Sequence, residues 1–132
     1  MSTQEQNADI VRRAYDAFSS ADAETLMELF DDNVSWHTPG RSYIGGDYHG
    51  KKATLTQLGR FMEDTGGSFK ALLQDVATSE NGGVISIHRN TGERNGKQLD
   101  VVCSIVFEVE DGKITYGREN FFDLYAWDEF WS

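Results

Sequence analysis

At 132 residues, with 39% hydrophobic and 12% aromatic side chains and one proline, the chain has the composition of one globular domain spanning 1–132, able to bury a core without staples. Its 12 Lys and Arg against 22 Asp and Glu leave a formal net charge of -10, which repels phosphate backbones and anionic lipid surfaces and argues against nucleic-acid and membrane partners. The single cysteine, Cys103, excludes an internal disulfide and suits a reducing cytoplasm, and the opening MSTQEQNAD has neither the basic start nor the apolar stretch of a secretion signal.

Residues 7–20 predict an amphipathic helix, because Ile10, Val11, Ala14, Tyr15 and Phe18 recur at spacings of three and four. A short helix over 22–30 follows, with Asp22 as N-cap and Leu26, Leu29 and Phe30 facing inward. Val34 to Thr38 reads as a strand cut by Pro39 and Gly40, and 41–50 reads as a glycine-bearing loop or irregular hairpin. A third helix is predicted over 51–64, burying Leu55, Leu58, Phe61 and Met62.

From Gly66 the period changes. Strands are expected over 68–78, 83–91, 98–109 and 113–125, separated by Asn-Gly-Gly, Arg-Asn-Gly and Asp-Gly turns. In the third, Val101, Cys103, Ile105, Phe107 and Val109 share one face. Helices first and a long antiparallel meander after them predict an α+β fold. Strands this long exceed the usual five or six residues, so the sheet should curve around the helices and enclose a pocket. The last nine residues, 124–132, form an aromatic tail expected to cap that pocket or to dock on a second copy in a homodimer.

The run LFDDNVSWHTPG (29–40) resembles the passage from second helix to first strand in SnoaL-like and ketosteroid-isomerase-like proteins of the nuclear-transport-factor-2-like superfamily. FEVEDGKI (107–114) is similar to their last hairpin, and RENFFDL (118–124) to the closing strand of limonene-epoxide-hydrolase-like members. The resemblance implies a cone-like, mostly antiparallel curved sheet wrapped around three N-terminal helices, with a pocket inside. Against the isomerase pattern, the base position falls on Thr38, the acid position on about Cys103, and Tyr15 lies near the tyrosine. Against the epoxide-hydrolase pattern, Glu119 and Arg89 match one carboxylate and the arginine, while Thr91 replaces the second carboxylate. Both residue sets are incomplete.

The candidate catalytic residues are therefore His37, Glu119, Tyr15 and Arg89, with an Arg89–Glu119 pair expected on adjacent strands facing the pocket. An unperturbed histidine titrates near pH 6.5, which suits His37 to proton transfer. Its facing has two solutions: if Val34 and Trp36 point inward His37 points out, whereas counting back from Pro39 turns it in. Trp36, Phe61, Cys103, Phe121 and Asp123 are expected to contact substrate, and His49 and His88 to lie on surface or loop. The three histidines show no H-x-x-x-H or H-x-H spacing, so no metal is expected, and no glycine-rich phosphate loop calls for a nucleotide; no cofactor is implied. The leading expectation is acid/base chemistry of isomerase, cyclase, lyase or hydrolase type on a small apolar carbonyl compound. The alternatives are ligand binding without turnover, or a dimerisation or assembly module.

Overall fold

The computed structural model describes residues 2–132. Helix α1 (Thr3–Ser19) starts where the Ser2 hydroxyl accepts the Glu5 amide at 3.1 Å, and it buries Val11, Ala14 and Tyr15. Asp22 caps α2 (Ala23–Leu29) in the same way, accepting from the Thr25 amide at 3.1 Å. Strand β1 (Phe30–Thr38) follows directly, then β2 (Gly46–His49), α3 (Lys51–Glu63), β3 (Lys70–Thr78), β4 (Val84–Arg94), β5 (Lys97–Glu110), β6 (Lys113–Phe121) and α4 (Leu124–Trp131).

The six strands form one curved sheet in the order β2-β1-β6-β5-β4-β3. All neighbours are antiparallel except β1 and β6, which run parallel with Trp36 opposite Gly117. The β4–β5 and β5–β6 hairpins close on Asn95-Gly96 and Asp111-Gly112, whose four φ angles are all positive, as a two-residue I′ turn requires. This is the expected α+β architecture, with helices α1 to α3 gathered against one face of the sheet. Among the described residues no helix is long and apolar enough to cross a membrane.

Two local expectations change, and between loop and irregular hairpin for 41–50 the hairpin is found. β1 begins at Phe30, four residues earlier than predicted, because it pairs with β6 from its first residue through an irregular register. The stretch predicted as loop or irregular hairpin contains β2, paired with β1 from Ser35–His49 to Thr38–Gly46. The last strand ends at Phe121 rather than 125, and the aromatic tail is the helix α4. Its cause is local: the Asp123 carboxylate accepts the Ala126 amide at 3.0 Å, and Trp127, Phe130 and Trp131 then fall on one helical face.

That face is fully buried, with Trp127, Phe130 and Trp131 each no more than 1% exposed. Trp127 stacks on Phe121 with ring centroids 3.8 Å apart, and Phe61 and Phe69 stack beside both tryptophans. Outside the helix C-terminus, Arg94 and Lys97 hydrogen-bond the last carbonyls of the chain, which also favours the helix dipole.

Gly117 marks the tightest approach in the sheet. The Trp36 ring lies directly over it, and an added Cβ would overlap three atoms of the indole. Gly117→Ala should therefore cost about 1–3 kcal/mol through overpacking and displace Trp36. Chemical denaturation with tryptophan emission as a second readout checks this; an unchanged midpoint would show that the ring moves freely.

Candidate functional site

Strand alternation decides which side chains meet inside the cone. On β1, Val34, Trp36 and Thr38 point inward; on β6, Gly117, Glu119 and Phe121 do; on β4, Val84, Ser86, His88 and Asn90 do. Between this inner face of the sheet and the facing sides of α1, α2 and α3 lies a cavity of about 60 Å³ open to the centres of water-sized molecules. A single water needs roughly 10–15 Å³ by such a measure, so this space takes several waters or one small organic molecule. Its walls are mainly Phe18, Phe30, Phe61, Phe69, Ile105 and Phe107, interrupted by Trp36 and by the polar groups of Tyr15, His88, Asn90 and Glu119.

Glu119 is 4% exposed. Two donors converge on one of its oxygens: Thr38 Oγ1 donates to Oε1 at 2.6 Å and Trp36 Nε1 at 3.2 Å. Its Oε2 has no hydrogen-bond partner among the described residues, and the side chain lines the cavity. Burial disfavours the anion and pushes the Glu119 carboxyl up to about 7, while the Thr38 and Trp36 bonds pull the other way without cancelling it. Near neutrality this carboxyl therefore exists in both protonation states.

Facing it across the cavity is a second polar group. Tyr15 Oη, from α1, lies 2.7 Å from Ser86 Oγ and 2.5 Å from His88 Nδ1. His88 Nε2 lies 2.9 Å from Asn90 Oδ1, and Asn90 Nδ2 donates to the Lys70 carbonyl on β3 at 3.2 Å. Burial penalises the imidazolium and lowers His88 to about 4, against a smaller opposing effect of the Asn90 bond, so the ring is neutral at pH 7. Burial also pushes the Tyr15 hydroxyl well above the usual phenol range, keeping it protonated.

The sequence-derived candidates divide. Glu119, Tyr15, Trp36 and Phe61 line the cavity. His37 points outward and its Nδ1 lies 2.6 Å from Asp47 Oδ1 on β2, because Val34, Trp36 and Thr38 take the inner face. Arg89 corrects the expected Arg89–Glu119 pair: it stands on the outer face of β4 and grips Asp100 of β5 through two bonds of 2.7 and 2.6 Å. Cys103 is buried in the core between strands, its thiol pushed up in pKa by burial, and it does not reach the cavity wall. Phe121 packs on Trp127 and Asp123 caps α4, so neither lines the cavity.

Four participants were not foreseen. His88, expected on surface or loop, is 3% exposed and inside; Ser86 and Asn90 share its face, and Thr38 is a donor to Glu119 rather than a failed base. The alternation Val84-Ser86-His88-Asn90, counted from an inward Val84, carried the signal for the first three. Among the described residues no cluster of three or more His, Cys, Asp or Glu side chains is placed to hold a metal ion.

The chain and its fold match a known group. The family model for the SnoaL-like domain matches residues 11–117, and the chain belongs to that family. It is 31% identical over 130 residues to Rv0034 of Mycobacterium tuberculosis, described as uncharacterised, covering 98% of this chain and 99% of that one. Bal32a, from a soil-derived mobile gene cassette, is 60% identical with a TM-score of 0.98, over 99% of this chain and 100% of that one. A Xanthomonas campestris protein of cystatin-like fold is 28% identical with a TM-score of 0.89, over 96% and 98% of the two chains. At 18% identity the fold alone is shared with a candidate SnoaL-like polyketide cyclase from Jannaschia, with a TM-score of 0.81 over 100% and 95%.

Two predictions follow from the state of Glu119. Thr38→Val removes a bond that favours the anion, so the Glu119 titration midpoint should move above 7; carbon-13 NMR of the carboxyl reads it directly. The linkage sign for a raised carboxyl is that its stability contribution is full below the unfolded value of 4.5 and is lost as pH rises towards 7. His88 acts oppositely: its contribution is full above 6.5 and is lost as pH falls towards 4. The comparison of Glu119→Gln with the parent isolates the first. The variant should gain on the parent between pH 4.5 and 7 and be the more stable above 7, by about 3 kcal/mol at most. Urea denaturation across pH gives the difference, and a variant less stable at pH 8 would count against a strained carboxyl.

Proposed function

We propose that the chain binds a small, largely apolar carbonyl compound in this cavity and moves a proton on it with Glu119, as an isomerase or cyclase does. The observation that carries this reading is the asymmetric setting of one buried carboxyl. Oε1 is held by Thr38 and Trp36, Oε2 is left for a ligand, and burial brings the group up to about 7. General acid/base groups work best when their pKa is close to the working pH, and a dry wall makes the transfer easier to direct. Aromatic walls exclude water from the bound compound and leave its polar atoms to find the few polar groups. Membership of the SnoaL-like family, and a fold shared with the candidate Jannaschia polyketide cyclase, support proton abstraction from activated carbon as the reaction type.

Exchange of α-hydrogen for deuterium in cyclohexanone, followed by proton NMR in D₂O, tests the step without knowledge of the natural substrate. The protein should accelerate exchange, with a rate that rises through a midpoint near 7. Glu119→Gln should reduce it by about 10²–10⁴-fold, while His37→Ala, on the outer face, should leave it unchanged. Equal exchange in the Glu119→Gln variant would remove Glu119 from the chemistry. Saturable cyclohexanone binding with no exchange in the parent would leave a binding protein instead.

A further inference from the structure

We propose that Asn90 is a positioning residue that sets the direction of the Ser86–Tyr15–His88 hydrogen-bond chain, so that the Tyr15 oxygen meets the ligand as an acceptor and takes a hydroxyl, as in an enol or a phenol. The inference rests on reading the cavity as a ligand site and specifies the chemistry of the wall opposite Glu119.

The direction follows from one fixed end. The Lys70 carbonyl can only accept, so the Asn90 amide must turn Nδ2 towards it and Oδ1 towards His88. An amide oxygen can only accept, so His88 Nε2 carries the ring proton. In a neutral imidazole Nδ1 is then an acceptor, and the Tyr15 hydroxyl donates to it at 2.5 Å. Ser86 Oγ, fully buried and bonded by its side chain only to Tyr15, donates its proton to Tyr15 Oη at 2.7 Å. Tyr15 thus has its one proton committed and one accepting position filled. Its remaining lone pair is what it offers to the cavity it lines.

The direction of these bonds decides what Tyr15 offers a ligand. A tyrosine that donates into the pocket would stabilise an oxyanion; this one accepts and selects a ligand with a hydrogen to give. Register supports two-point recognition. Ser86 faces Ile105 on β5, and Ile105 faces Glu119 on β6, so the Tyr15 partner and the carboxyl stand two strands apart, about 10 Å between backbones.

Nitrogen-15 NMR of His88 and probe titration test the two halves separately. In the parent protein His88 should show a pyrrole-type Nε2 and a pyridine-type Nδ1. Asn90→Asp, which still presents an acceptor, should keep that pattern, and Asn90→Leu should lose it, a change that a merely structural role for Asn90 would not produce. A parent ring protonated on Nδ1 would overturn the inference. For ligands, phenol, benzaldehyde and toluene share a ring and differ in hydrogen-bonding group. Phenol should bind most tightly, and Tyr15→Phe should weaken phenol by about tenfold while leaving benzaldehyde and toluene nearly unchanged. Weakening confined to benzaldehyde would mean that Tyr15 donates, and would overturn the inference while leaving the proposed function standing. Failure of all three probes to bind the parent would overturn the ligand half together with the proposed function, and the tautomer would remain as a separate result.

Discussion

Burial of the Glu119 carboxyl is the constraint on which the site depends. An isolated carboxylate in an apolar interior costs several kcal/mol, and a protein accommodates it by supplying donors or by letting it keep its proton. Here both happen in part. The parallel pairing of β1 with β6 sets Trp36 against Gly117, and so brings the Trp36 indole and the Thr38 hydroxyl to the oxygen of Glu119 on the same wall. Only a glycine at 117 lets the ring lie flat enough for its N–H to reach. The donors reach one oxygen, which leaves the anion incompletely compensated and the group poised near neutrality.

The opposite wall solves the same problem differently. Tyr15, Ser86, His88 and Asn90 are all buried, and each polar atom used is satisfied by the next until the chain ends on the Lys70 backbone. None of them needs a charge, and burial keeps histidine neutral and tyrosine protonated. Such a network is rigid because breaking one member strands its neighbours. The cavity therefore has one wall whose proton can move and one whose hydrogen bonds are set.

The aromatic end of the molecule holds these walls in place. Trp127, Phe130 and Trp131 of α4 fill the cone beside Phe61, Phe69 and Phe121, and the Asp128 carboxylate accepts the Arg41 amide from the β1–β2 loop. Phe61 and Phe69 face the cavity on one side and the tryptophans on the other. Packing at this density transmits displacement, so the shape of the cavity is tied to the helix that closes it.

Much of this was legible in the order of residues. Hairpin turns at Asn95-Gly96 and Asp111-Gly112, the spacing of Val11, Ala14 and Tyr15, and period-2 runs after Gly66 are local signals, because turn geometry and amphipathic faces are settled over a few residues. They determined an α+β fold with a sheet long enough to curve, while Glu119 and Tyr15 came from the resemblance to the isomerase and epoxide-hydrolase patterns. Alternation says only that neighbours face opposite ways; which set faces inward is decided by what the whole sheet packs against. That collective choice turned His37 and Arg89 outward and His88 inward, and it made Thr38 a donor. The aromatic tail was equally ambiguous, since its residues suit a strand or a helix until Asp123 caps one end and the cone buries Trp127, Phe130 and Trp131 together. The chain's own order thus determined most of the elements and the polar residues available, and tertiary packing decided the tail helix and which side chains share a cavity, because burial is a property of the assembled sheet.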